Sequence, residues 1–172
     1  ATAADLWSPQ YVTYDSNGGA LLIATSGGNI RRVPTNVTAP TIEMVLDMGS
    51  WSYCTASGSV YLPAYTYPKN LAVRRDGTTS FLYFSGRVCS SCGSGGDCPG
   101  LQEAVWKVAL APNMENTLII HVGSNLNSIT GITVAASDGT IYMASDSHTV
   151  HTINPTGSYI AVVAGIAGNP GF

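Results

Sequence analysis

The chain has 172 residues, 45% of them hydrophobic, enough for a packed core in one ordinary domain or a piece of a larger one. Charged residues make up only 10%, against roughly 25% in soluble domains, and seven Lys and Arg face ten Asp and Glu for a net charge of −3. With only Arg31-Arg32 and Arg74-Arg75 adjacent, this excludes a basic footprint for nucleic acid or for a membrane surface. The apolar runs 21–24 and 159–167 are too short for the ~20 residues of a spanning helix.

Taken in chain order, short apolar segments alternate with Gly, Pro, Asn and Asp, and helical periodicity is hard to find, which predicts an all-β chain. The first four expected strands are 10–15, 20–25, 29–33 and 41–47. The next four are 70–75, 80–86, 104–110 and 117–122, and the last four 131–135, 140–144, 149–153 and 159–164. The twelve fall into three sets of four. In each set a hairpin signal, Asn17-Gly18, Asp76-Gly77 or Asp138-Gly139, separates the first two strands, suited to the positive φ angles of a type I′ turn. Four-stranded units that repeat their turn chemistry about every 60 residues predict the blades of a β-propeller rather than a β-sandwich, which has no reason to repeat it.

The third set carries a resemblance. Ile132-Thr-Val-Ala-Ala-Ser-Asp-Gly-Thr-Ile-Tyr-Met-Ala-Ser-Asp-Ser-His148 through Asn154-Pro-Thr-Gly157, followed by Val162-Val-Ala-Gly165, resembles an NHL repeat. The match is good over 129–172, fair over 9–33 and weak in the middle set. The Asn-His-Arg signature is incomplete, with His148 alone and Asn29-Ile30 lacking the His. The resemblance implies antiparallel four-stranded propeller blades: blade 1 in 1–50, an inter-blade link and blade 2 with a Cys-rich insertion in 51–125, and blade 3 in 126–172, ending at a segment like those that lead into a further blade. Three blades do not close a ring. The expected neighbours are therefore further propeller blades of a longer polypeptide, or other copies of the chain. Leu21, Ile23, Leu82, Phe84, Ile141 and Met143 are expected to be buried between blades.

Four cysteines, an even number, point to two disulfides and an oxidising compartment. Cys89, Cys92 and Cys98 cluster and Cys54 stands apart; a four-thiolate zinc site would need a second Cys-x-x-Cys, and a redox pair would need a following helix. Propeller connectivity puts all four on one face of the disc, but the spacing does not pair them. The low charge, the opening Ala1-Thr2-Ala3-Ala4 without Met or signal peptide, and the sequon Asn36-Val37-Thr38 fit a processed, secreted or cell-surface glycoprotein with Asn36 glycosylated on the opposite face.

The link 51–67 carries five aromatic residues, of which Trp51, Tyr53, Tyr65 and Tyr67 are candidate binding residues, since exposed Trp and Tyr stack on sugars or anchor protein contacts; packing between blades is the plainer role. His148 and His151 are expected on opposite faces of a strand and His121 elsewhere, so no metal site is assigned. Asp15, Glu43, Asp47, Glu103 and Asp146 are scattered, with no nucleophile elbow or phosphate loop, so no catalytic residue and no cofactor is assigned. The expected function is an extracellular, non-enzymatic propeller module for adhesion, assembly or scaffolding through a protein or glycan ligand, without nucleic acid or membrane insertion. The alternative is an enzyme of the calcium-dependent lactonase or zinc-dependent amidating-lyase type, activities known among related propellers, with its site completed outside this chain.

Overall fold

The computed structural model describes residues 6, 8–47, 67–89, 101–110, 128–157 and 160–170. Among them there is no helix, and so none long and apolar enough to cross a membrane. The first sheet runs in the order β1 (Pro9–Asp15), β2 (Ala20–Thr25), β3 (Asn29–Pro34), β4 (Glu43–Asp47). The middle sheet contains β5 (Lys69–Asp76), β6 (Thr79–Cys89) and β7 (Leu101–Ala109). The third contains β8 (Ile129–Val134), β9 (Ile141–Ser145), β10 (Thr149–Ile153) and β11 (Ile160–Gly165). Every pairing is antiparallel between sequence neighbours. The all-β expectation holds, and the three sheets are compatible with propeller-like blades. The expected strand at 117–122 lies outside the described residues.

The hairpin signals turn the chain where the sequence places them, by varied means. Only Asp76-Gly77-Thr78-Thr79 is a two-residue loop, and there positive φ occurs at Gly77 alone (59°), the pattern of a type II′ turn rather than the expected I′. In the first turn the left-handed residue is Gly19, one past the expected Gly18. β6 and β7 are longer than expected, pairing out to Cys89 opposite Leu101, so the cysteine segment leaves from the tip of an extended hairpin.

Strand alternation sorts the side chains into two cores, one on each side of the middle sheet. On one side Leu22, Ile30, Val45 and Leu46 of the first sheet meet Leu82, Phe84, Trp106 and Val108. On the other, Tyr83 and Val105 meet Ile129, Ile141, Met143 and Ile153 of the third sheet. β5 lies between β1 and β8, so the leading strands of the three sheets are neighbours. Each large apolar side chain so buried contributes about 1.5–3 kcal/mol.

Leu82, Phe84, Ile141 and Met143 are buried between sheets as expected; Leu21 and Ile23 are not. They are half-buried, whereas Leu22 between them is fully buried, like Ala20 and Ala24 on the same side of β2. The reason is positional. Leu82 and Phe84 face the preceding sheet, and so do Ile141 and Met143, whereas Leu21 and Ile23 occupy the side of the first sheet turned away from the middle one.

Candidate functional site

The sheets have two ends of different character. At the hairpin-turn end, short polar contacts lock neighbouring sheets. Asp15 Oδ1 accepts from the Asn17 N–H (3.1 Å) and, across to the middle sheet, from the Ser80 hydroxyl (2.8 Å), while Asn17 Nδ2 donates to Thr78 O at 3.4 Å. The Arg74 guanidinium lies close against Gly139 of the third sheet's turn. Beside it, the Asp138 carboxyl is held below its usual range, first by the Thr140 N–H (3.0 Å), then by the Thr140 hydroxyl (2.9 Å), with the Arg74 charge a lesser contribution. Asn36 is exposed at this same end. The N–H and hydroxyl of Thr35 beside it both donate to Gly19 O, at 2.8 and 2.9 Å.

The opposite end holds the candidate recognition site. Tyr67, Lys69, Gly86 and Glu103 line an open cleft of about 100 Å³ on the middle sheet. Tyr67 is 45% exposed, so part of its side chain is available to a ligand. The floor is pinned by Asn70, whose amide nitrogen donates to Ser85 Oγ (3.0 Å) and to Ile129 O of the third sheet (2.8 Å); Ser85 in turn donates to Lys69 O (3.2 Å). Asn70 sits at φ 50°, a left-handed conformation that Asn tolerates better than most residues, next to the register shift between Lys69 and Leu71. An aromatic face beside an ammonium and a carboxylate suits a polyhydroxylated or peptide ligand, which offers both an apolar surface and hydrogen-bonding groups.

Of the residues singled out in the sequence, Tyr67 therefore belongs to this cleft. Trp51, Tyr53, Cys54, Tyr65, Cys92 and Cys98 lie outside the described residues, as does the side chain of Cys89. The Cys89 backbone closes β6 three positions beyond Gly86, at the cleft end of the sheet and opposite Asn36. Sequence reading missed Lys69, Gly86 and Glu103, which three different strands bring together.

A second polar feature was also missed. Ser145, Ser147, Thr149 and His151 form a continuous chain: Ser145 Oγ to Ser147 Oγ at 2.9 Å, Ser147 Oγ to Thr149 Oγ1 at 2.9 Å, and Thr149 Oγ1 to His151 Nε2 at 2.8 Å. Its spacing was visible as hydroxyls and a histidine at every second residue, but only Thr149 and His151 share a strand; Ser145 is the cross-strand partner of Thr149, and Ser147 lies in the turn between them. Ser145, Thr149 and His151 are buried against the middle sheet, whereas His148 is exposed in the preceding turn. Among the described residues no group of three or more His, Cys, Asp or Glu could hold a metal ion.

Burial pushes the His151 pKa below its ordinary 6.5. The unfolded chain then binds the proton more readily than the folded one, so the stability this group contributes is present above pH 6.5 and falls as acidity increases through the lowered folded value. A thermal melt series should show the midpoint dropping below pH 6.5, and His151→Gln should flatten that step. An unchanged step in the variant would assign it to another group.

No family model matches this chain, and no curated protein matches its sequence.

Proposed function

We propose that this chain is an NHL-like β-propeller module, extracellular and non-enzymatic, that serves adhesion, assembly or scaffolding by holding a protein or glycan ligand at the cleft end of its sheets. The observation that carries the proposal is the cleft itself, with exposed Tyr67 beside Lys69 and Glu103 on a floor tied to the neighbouring sheet through Asn70. Rigid strands presenting an aromatic residue beside charged groups form a typical recognition surface. The face-to-face sheets and recurring hairpins support the propeller reading. The four cysteines and the Asn36 sequon support the secretory pathway, and Asn36 lies at the end away from the cleft, where a glycan would leave it open.

The test is binding of the whole chain to arrays of glycans and of extracellular-matrix proteins. At least one ligand should be retained, and Tyr67→Ala should weaken it by about 30-fold, the effect of removing a ~2 kcal/mol anchor. Unchanged binding by the variant would remove the cleft from the reading. Stoichiometric calcium or zinc accompanied by turnover of a lactone or an α-hydroxyglycine peptide would replace it with the enzymatic alternative.

A further inference from the structure

The two outermost sheet faces match each other, because the first and third sheets are built in the same register. Their leading hairpins share one pairing register at an offset of 120 residues: Pro9–Thr25 corresponds to Ile129–Ser145, each followed by the same register shift, and the flanking bonds Ser26 N–H to Ser8 O and Asp146 N–H to Ser128 O correspond too. The second hairpins keep the offset, with Ala24 opposite Ile30 and Ala144 opposite Val150. Corresponding residues nevertheless have opposite surroundings. Leu22, Ala24 and Ile30 are fully buried against the middle sheet, while their counterparts Tyr142 and Ala144 are exposed and Val150 is half-buried. Conversely, Ile141, Met143 and Ile153 are buried against the middle sheet, with Ile132 packed beside them, while their counterparts Leu21, Ile23 and Val33 are half-buried and Val12 is 63% exposed.

We infer that a second copy of this chain docks head to tail, the outer face of its first sheet covering the Tyr142 face of the third. The interface continues the two already present in the molecule. The Tyr142–Ala144–Val150 face corresponds to the one that packs on Leu82 and Phe84, and the Val12–Leu21–Ile23 face corresponds to the one that packs on Tyr83 and Val105. Joining them gives every sheet the neighbour on each side that the middle sheet already has. Two copies bring together six sheets of described residues, within the four to eight that close a propeller, whereas three copies would overshoot that range. A closed ring of two such head-to-tail contacts covers both of these outer apolar faces in each copy. The inference rests on the propeller reading but not on the ligand cleft, which lies on the middle sheet.

Light scattering on the purified 172-residue chain at micromolar concentration should give twice the 17.9 kDa chain mass. Val12→Lys and Tyr142→Lys, on opposite outer faces, should each give a monomer with unchanged far-ultraviolet circular dichroism. Mixed together they should recover a two-copy species, because each retains the face that the other has lost. Ala144→Arg should repeat the Tyr142→Lys result should that variant fold poorly. A parent chain that is monomeric with a cooperative melt overturns the inference. So does a pair that survives Tyr142→Lys or Ala144→Arg, which would mean that first sheets pack on each other. Ligand binding measured on monomeric Val12→Lys keeps the two readings apart: retained binding with a monomeric parent would remove the assembly alone.

Discussion

Replacing Phe84 by Ala should cost about 3–5 kcal/mol of folding stability, a large part of the ~5–15 kcal/mol that holds a domain together. Phe84 is fully buried, stacks on Trp106 with ring centroids 6.4 Å apart, and joins the cluster that ties the first sheet to the middle one. Truncation removes the ring's transfer energy and leaves a cavity between two rigid sheets that cannot close over it. Phe81 is the control. It points to the other side of β6, is half-buried and carries the Lys107 ammonium 4.0 Å from its ring centroid, so Phe81→Ala should cost clearly less. Equilibrium urea unfolding followed by tryptophan fluorescence measures both. Equal losses would mean that the assignment of faces on β6 is wrong.

The second large effect is expected at the far edge of the third sheet. Gly165 has φ +85°, and a Cβ there would overlap the His148 carbonyl oxygen. Gly165→Ala combines left-handed strain of about 1–2 kcal/mol with a backbone collision of about 1–3 kcal/mol, so a loss of about 2–5 kcal/mol is expected. Because Gly165 pairs with Thr149 at the end of the β10–β11 ladder, the damage should be local, with faster hydrogen exchange in β11 and unchanged exchange in the middle sheet. Gly168→Ala separates the two contributions. That residue has φ +76° but nothing within 4 Å of the added carbon, so it should lose only the strain, about 1–2 kcal/mol. Comparable losses at the two sites would show that the backbone near His148 yields.

Much of the architecture was legible in the residue order. β2 at Ala20–Thr25 and β10 at Thr149–Ile153 match the expected strands residue for residue, because alternation and flanking Gly or Asn are local signals. The extension of β6 and β7 to Cys89 and Leu101 was not legible. Gly86 looks like the end of a strand, and only pairing with Ala104 shows the hairpin continuing through it.

Sites followed the same division. Tyr67 stood out as an aromatic residue in a polar link, and Asn36 as a sequon. Lys69, Gly86 and Glu103 share no local pattern and become neighbours only through the strand pairings Lys69–Ser85 and Gly86–Ala104. The Ser145-to-His151 chain lies between these cases, since its alternation is visible in sequence but its burial is not.

What the sequence determined by itself is the set of elements: all-β, repeating, turned at Asn-Gly and Asp-Gly, poor in charge. Those features follow from backbone sterics and near-neighbour chemistry, which act over a few residues. What only the tertiary structure decided is which side of each strand is the inside. In Leu21-Leu22-Ile23-Ala24 both sides are apolar, so alternation separates two faces without ranking them. The ranking comes from the middle sheet, which lies against Leu22 and away from Leu21 and Ile23, and hydrophobic burial depends on that neighbour rather than on the strand that carries the side chain.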